Sequence, residues 1–264
     1  YVARQAGSTG TLVMNSSSTL NAGFVGIGVG SVGVGNALGA AGGTGTLVLN
    51  NSTINTSRFE LGAGSLLTGD GGTIDAGTNG PVVIAGTISP GNSPGRLRIR
   101  CDITMLAGSK LILEINDRDG GPGVDFDIDQ LIIGDTSTFD LSSLQIIFSF
   151  MGNTNPNDFA ASVGGFNLDR FLLAGGPGET ITGGLSSLFG NEHNPGSKDW
   201  DKRVNSDLFA FESSAFDLSN WSLAANGDVT VDAVAVPEPA SMSLALLALA
   251  AMLTLSRGRR ARRA

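Results

Sequence analysis

Three aspartates at alternate positions are the residues of this sequence best suited to chemistry. Asp125, Asp127 and Asp129 follow the two-residue period of a β-strand, so a strand would carry all three carboxylates on one face. Carboxylate oxygens are ligands that Ca²⁺ prefers in proteins. The triplet is therefore a candidate Ca²⁺ site. The alternative, which we prefer, is a solvated turn leading into a strand at Leu131, with no cofactor.

Two further segments match the sequence patterns of enzyme motifs but lack features that those motifs need. Gly91–Gly95 reads Gly-x-Ser-x-Gly, but the residue after the nucleophile must donate its backbone N–H to an oxyanion hole, and Pro94 has none. His193, the one histidine, stands in a loop-like Asn/Pro/Gly context. Gly28–Gly33 reads Gly-x-Gly-x-x-Gly, yet no helical pattern follows it. We therefore predict no catalytic residues and a protein that is not an enzyme.

The composition indicates β structure with many turns. Among 264 residues there are 39 glycines, one tyrosine and two tryptophans, and 41% of the residues are hydrophobic. Glycine disfavours helices and permits tight turns, while this apolar content is too high for a disordered chain. The single cysteine, Cys101, excludes an internal disulfide, and its strand-like surroundings predict a packed thiol rather than a reactive one.

An internal repeat predicts how the strands are arranged. Thr9–Asn15 reads TGTLVMN and returns thirty-five residues later in Thr44–Asn50 as TGTLVLN. A unit of one short strand and a turn cannot bury its apolar face alone, so copies must stack. Between the copies, Phe24–Leu38 interleaves aliphatic residues with glycines. We predict an all-β fold, a right-handed parallel β-helix (solenoid).

Later segments resemble a known repeat. Gly86–Gly95, Leu106–Ile115 and Asp129–Ile133 together resemble the passenger-associated repeat of autotransporter β-helices, over roughly residues 80 to 150. The resemblance implies a β-helical, surface-exposed body and brings no catalytic residues. No carboxyl-terminal barrel of the autotransporter kind follows, so secretion through such a barrel is not expected.

The charge is unevenly distributed. The net charge is −8, but residues 1–100 hold five arginines against three acids, whereas residues 101–235 hold twenty acids against six bases. An acidic middle repels polyanions and excludes nucleic acid as a partner there. The simplest reading of these acids is a solvated surface.

The last twenty-nine residues have three parts in a fixed order. Val236-Pro237-Glu238-Pro239 opens them, and the prolines favour an extended backbone. Ala240–Leu255 is then apolar on every side, which is typical of a membrane helix, with a buried carboxyl-terminal helix as the alternative. Five arginines follow as a stop-transfer cluster that would hold this end in the cytoplasm: Arg257, Arg259, Arg260, Arg262 and Arg263.

This tail resembles the PEP-CTERM sorting signal of Gram-negative bacteria. The resemblance implies that the partner is an exosortase, which recognises the processing motif formed by Val236, Pro237, Glu238 and Pro239 and removes the tail. It also implies an exported protein that is anchored in inner-membrane lipid by a transmembrane helix before processing. Afterwards the body would lie at the cell surface or in the extracellular polysaccharide. The sequence starts at Tyr1 without a recognisable signal peptide, so we expect a fragment or processed form.

These patterns predict three regions and one function. A β-helix repeat region covers residues 1–150, a β-rich closing region ending in a hairpin covers 151–235, and the sorting signal covers 236–264. We expect a structural or adhesin-like protein of the cell surface or biofilm matrix that associates with exopolysaccharide. The alternative is a β-helix lyase or hydrolase that acts on the matrix polysaccharide.

Overall fold

Short β-strands are the main secondary-structure elements that the computed structural model of this protein describes. It describes residues 1–77, 80–91, 95–117, 126–134, 144–162, 172–174, 209–218 and 234–235. The strands of the described residues follow in chain order. The first ten are β1 (Thr9–Met14), β2 (Thr19–Ala22), β3 (Val25–Ile27), β4 (Thr44–Leu49), β5 (Thr53–Thr56), β6 (Phe59–Leu61), β7 (Leu66–Gly69), β8 (Gly72–Asp75), β9 (Val82–Ile84) and β10 (Thr87–Pro90).

The remaining elements include one helix. They are β11 (Arg96–Arg100), β12 (Ile103–Met105), β13 (Ser109–Asp117), β14 (Phe126–Ile128), β15 (Gln130–Gly134), β16 (Leu144–Phe150), α1 (Pro156–Ser162), β17 (Leu172–Ala174), β18 (Phe209–Ser213), β19 (Phe216–Asp217) and β20 (Val234–Ala235).

From β1 to β13, successive strands enter three different sheets in turn. The first sheet has the order β1-β4-β7-β10-β13-β16-β18, with β14 paired to β13. The second sheet has the order β2-β5-β8-β11-β15-β17, and the third has the order β3-β6-β9-β12. Pairing along all three orders is parallel, whereas the β13–β14 and β19–β20 pairs are antiparallel. Along these three orders, each strand therefore lies beside strands from the preceding or the following round of the chain.

The sequence repeat is also a repeat in space. β1 pairs with β4 so that Thr9 lies opposite Thr44 and Met14 lies opposite Leu49, without a shift over six residues. The following segments continue the correspondence, because Thr19 in β2 lies opposite Thr53 in β5. Equivalent residues of the two copies are thus neighbours.

Aliphatic side chains fill the space enclosed by the strands. In β4 and β11 the buried residues alternate with more exposed ones, as the two-residue period of a strand requires. Register places buried residues of the first sheet one above another: Leu47, Leu67, Ile88, Leu111 and Ile146. A second column in the second sheet has Ile54, Ile74, Ile99 and Ile133. The core is therefore a set of stacked columns.

One glycine is required by the close approach of neighbouring strands. Gly69 ends β7 with a φ of +122°, a backbone conformation that residues with a Cβ rarely adopt. A Cβ there would lie 2.2 Å from the backbone oxygen of Leu49 in β4. Any larger residue would push these two strands apart.

Local residues explain where helix α1 begins and how it packs. Asn155 accepts a hydrogen bond from the Asn157 N–H at 3.0 Å, as a residue that caps a helix amino terminus does, and Pro156 supplies a φ suited to the first turn. Phe159 is buried, and its ring centroid lies 6.1 Å from that of Phe150 in β16. The helix therefore packs against the end of the first sheet.

These findings correct the predicted fold class, a right-handed parallel β-helix (solenoid) with a carboxyl-terminal transmembrane helix. The structure shows mostly parallel strands in sheets, with the seven-residue α1 as the helix of the described residues. Nowhere in the described ranges is a helix long and apolar enough to cross a membrane. A physical reason is length: the sixteen residues of Ala240–Leu255 would reach about 24 Å as a helix, short of the roughly 30 Å hydrocarbon layer. That segment lies outside the described residues, as does Asn226-Gly227, a dipeptide suited to the turn of the hairpin predicted at the end of residues 151–235.

We expect the stacked columns to provide much of the stability. Leu47→Ala removes a fully buried side chain from the middle of a column and should lower the free energy of unfolding by about 2–5 kcal/mol. Val13→Ala in β1 is the matched control, because Val13 is 51% exposed and its truncation should cost less than about 1 kcal/mol. Urea titration followed by circular dichroism measures both. Equal losses for the two variants would contradict this account of the core.

Candidate functional site

The outward side of the second sheet is a regular polar surface, which we call the polar face. Its strands turn every second residue inward, and the residues between them point away from the core. Except for Ile132, the outward residues are polar. They are Thr19, Asn21, Thr53, Asn55, Thr73, Asp75, Arg96, Arg98, Arg100 and Gln130. Strand register, rather than any loop, therefore positions these side chains.

Asparagines on successive strands bond to one another. The Asn55 side-chain amide donates to the Asn21 side-chain oxygen at 2.8 Å, and Asn50 donates in the same way to Asn15 at 2.8 Å. Asp75 occupies the next position after Asn55 in the same column. The turns and the polar face thus carry short ladders of hydrogen-bonded asparagine side chains, because neighbouring strands are about 4.8 Å apart.

Three arginines lie along one strand of the polar face. Arg96, Arg98 and Arg100 alternate in β11 with buried residues, so their side chains share one side of the sheet. Alternate residues of a strand are about 6.6 Å apart, which sets the spacing of the three cations. We call this row the arginine strip.

Two carboxylates lie beside the arginine strip. The Asp75 carboxylate is 3.5 Å from the Arg100 guanidinium, and both side chains are partly exposed. Asp70 accepts a hydrogen bond from the backbone N–H of Arg96 at 3.1 Å. Within the part of the chain that the structure describes, neither Arg96 nor Arg98 forms an ion pair. Two of the three cations therefore keep their charge available to solvent.

A buried ion pair fixes the long loop between β3 and β4. Arg58 and Glu60 are paired through Nε and Oε1, and Glu60 is fully buried. The two Glu60 oxygens accept the backbone N–H groups of Gly33 at 2.7 Å and Gly39 at 2.8 Å. The Arg58 guanidinium donates to the Gly35 and Ala37 carbonyls, each at 2.6 Å. Both charges therefore hold backbone groups that have no strand partner.

The same loop explains the Gly-x-Gly-x-x-Gly motif. No helix follows Gly28–Gly33 in the loop up to β4, all of which the structure describes. The N–H of Gly33 is already bonded to Glu60, so it does not face an empty cradle. The loop instead exposes Val34 at 86% and Val32 at 48%.

The predicted Ca²⁺ ligands are only partly described. Asp127 lies in β14 opposite Asn116, and Asp129 is buried between β14 and β15. The two Asp129 oxygens accept the N–H groups of Gly95 and Glu114, each at 2.8 Å, so this carboxylate bridges the second and first sheets. Asp125 lies outside the described residues. In the described ranges, no three His, Cys, Asp or Glu residues are grouped closely enough to hold a metal ion. Calcium binding therefore remains an untested alternative to the predicted absence of a cofactor.

Burial shifts the pKa of two groups. Desolvation raises the pKa of the Asp129 carboxyl to about 7, against the lowering effect of the Glu114 and Gly95 N–H donors. Desolvation also raises the pKa of the Cys101 thiol to about 12. Cys101 is buried, as the sequence predicted, and its thiol is protonated and unreactive at neutral pH.

Several predicted site residues lie outside the described residues. These are the processing motif Val236, Pro237, Glu238 and Pro239 and the stop-transfer arginines Arg257, Arg259, Arg260, Arg262 and Arg263. Their roles remain predictions. Ser93, Pro94 and His193, for which no catalytic role is predicted, lie outside the described residues as well.

Comparison with known proteins gives no relative. No protein-family model matches the chain, and neither a characterised protein nor a solved structure is significantly similar to it. The proposals below therefore depend on the residues themselves.

Two features of the site were not predicted from the sequence. The Arg58–Glu60 pair has no sequence signal, because two charges two residues apart in a strand usually face solvent. The arginine strip did have one, namely three arginines alternating with apolar residues in Arg96–Arg100, which predicts a cationic side of a half-buried strand.

We expect Glu60→Gln to weaken the loop strongly. The variant leaves the buried Arg58 guanidinium without its counter-charge, and its amide NH₂ group would face the N–H donors that Glu60 now accepts. These losses should lower the free energy of unfolding by about 3–5 kcal/mol. Elastase cleavage between Ser31 and Ala41 should become faster. Asp75→Asn is the control, since it breaks a partly exposed pair and should cost less than about 1 kcal/mol. Similar losses in the two variants would refute the role of the pair.

We expect Asp129 to make stability depend on pH. Its pKa is about 7 in the folded chain and about 3.8 when unfolded, so between these values the native state binds a proton that the unfolded state has released. This contribution is fully present below pH 3.8 and is lost as the pH rises through about 7. Urea titrations from pH 4 to 8 should show a falling free energy of unfolding, by at most about 1.4 kcal/mol per pH unit from this group. Asp129→Asn should remove that slope. Parallel curves for the variant and the parent chain would contradict the assignment.

Proposed function

We propose that this chain is an exported structural or adhesin-like protein of the cell surface or extracellular matrix. In this proposal an exosortase processes it at the tail, and the body then associates with exopolysaccharide. Before processing, the protein is retained at the inner membrane.

The observation that carries the proposal is the order of the three parts of the tail. A proline-stiffened motif, an apolar run and an arginine cluster follow one another between Val236 and Ala264. Prolines on both sides of a residue favour an extended backbone, and this sequence is expected to present Glu238 in the conformation that a processing enzyme can bind. The arginines oppose transfer of this end out of the cytoplasm.

The body has properties that suit a structural role. Its sheets extend by parallel pairing over many rounds, and its core is a continuous set of aliphatic columns. Stability of such an arrangement comes from contacts between neighbouring rounds, so it needs no disulfide outside the cytoplasm. The outward side of the second sheet carries hydroxyl, amide and guanidinium groups that can bond a hydrated partner.

A localisation experiment tests the proposal. An epitope inserted between Ala235 and Val236 should be found at the cell surface or in the medium of a Gram-negative host that has an exosortase. Changing Pro237, Glu238 and Pro239 to alanine should leave the epitope in the inner-membrane fraction, because the processing enzyme no longer finds its extended motif. Fractionation followed by immunoblotting measures both.

The matched control changes equivalent residues elsewhere. Glu192→Ala with Pro195→Ala alters the same residue types outside the tail and should leave release unchanged. Deletion of the host exosortase should reproduce the effect of the motif variant. Release of the motif variant at the parent level would remove the sorting proposal.

A further inference from the structure

We infer that the polar face binds a carboxylate-bearing polysaccharide through the arginine strip, with the neighbouring threonine and asparagine columns contacting sugar hydroxyls. This inference rests on the proposed surface or matrix function and names the class of partner for one face of the body.

The arrangement of the cations fits a linear polyanion. Arg96, Arg98 and Arg100 lie in a row, at a spacing of about 6.6 Å between neighbours, on a strand whose backbone is held by parallel partners on both sides. A guanidinium can bind a carboxylate through two parallel N–H groups. A chain of sugars that carries carboxylates at intervals could therefore meet several arginines at once, and several weak contacts would act together.

The charge around the strip also favours an anionic partner. The first hundred residues hold five arginines and three acids, and three of those five arginines are in the strip. The chain as a whole is acidic, with a net charge of −8. An anionic chain is therefore repelled by most of the protein and attracted at this strand, which gives the contact a definite position.

The neighbouring residues favour carbohydrate over nucleic acid or lipid. The columns that lead to the strip hold Thr19, Thr53 and Thr73 beside Asn21 and Asn55. Hydroxyl and amide groups can both donate to and accept from sugar hydroxyls. Among the described outward residues of the five strands from β2 to β15 there is no aromatic ring on which a base could stack, and Ile132 is the one large apolar side chain.

Of the two carboxylates beside the strip, Asp75 is the one paired with an arginine side chain. Asp75 stands in the asparagine column next to Asn55, where its oxygen lies 3.5 Å from Arg100. An asparagine at this position would continue the column and remove a negative charge from the face. Asp75→Asn should therefore increase affinity for the anionic chain, which is the opposite of the effect of removing an arginine.

Binding to a defined glycan tests the inference. The purified full chain is titrated with fluorescent oligogalacturonate, with a neutral glucan oligosaccharide of equal length and with single-stranded DNA of equal charge, all in the presence of a Ca²⁺ chelator. Oligogalacturonate should bind most tightly, and added salt should weaken that binding. Arg96→Gln with Arg98→Gln should raise its Kd about tenfold, and Asp75→Asn should lower it about two- to fivefold.

The control removes a cation elsewhere. Arg4 is exposed and contacts the Gly30 carbonyl and the Tyr1 ring rather than the polar face, so Arg4→Gln should leave the Kd unchanged within about twofold. Circular dichroism melting shows whether each variant is folded. Asp75→Asn should increase the affinity for oligogalacturonate, and a misfolded variant would not bind more tightly.

Three results would overturn the inference: equal affinity for the neutral glucan, tighter binding of DNA, or an unchanged Kd in both the double arginine variant and Asp75→Asn. The assay is independent of localisation. Surface display without glycan binding would overturn the binding face alone, whereas glycan binding without surface display would support the face and remove the surface role.

Discussion

In-register stacking of inward aliphatic side chains is the constraint on which the rest of the structure depends. Leu47, Leu67 and Ile88 lie one above another because their strands pair in parallel without a shift. A slip of one residue would turn each inward side chain outward, so burial fixes the register firmly. The same pairing repeats in the second and third sheets, and the three sheets share one core.

The outward surface follows from that register. Once inward residues are fixed, the residues between them are placed on successive strands about 4.8 Å apart. Residues at equivalent positions of neighbouring strands then lie side by side, which produces the Asn21–Asn55 hydrogen bond and brings Asp75 beside Arg100. The polar face is thus ordered by burial on its other side, and a ligand would not have to order it.

Buried carboxylates support the backbone where strand pairing is interrupted. Glu60 accepts N–H groups from the loop between β3 and β4, and Asp129 accepts N–H groups from Gly95 and from Glu114 in β13. Buried N–H groups without a partner cost free energy, and these two buried carboxyl groups avoid that cost by accepting hydrogen bonds from them. The two sites differ in how the carboxyl charge is compensated. Glu60 is paired with Arg58, whereas burial raises the pKa of the Asp129 carboxyl to about 7.

The sequence by itself determined the local features. Alternation and the TGTLV repeat predicted short strands that stack, the composition around Cys101 predicted its burial, and Arg96–Arg100 carried a readable alternating pattern. It also carries the tail motif, whose role remains a prediction, and an apolar run that led to a predicted transmembrane helix, which the described residues do not support. Only the tertiary structure decided which strands pair, that Arg58 and Glu60 are buried together, and that Asp129 bridges two sheets. The reason is that periodicity reflects each residue and its near neighbours, whereas strand pairing and the Asp129 bridge join residues far apart in the chain, such as Thr9 with Thr44. The burial of Arg58 and Glu60 likewise depends on the distant loop groups at Gly33 and Gly39 that Glu60 binds.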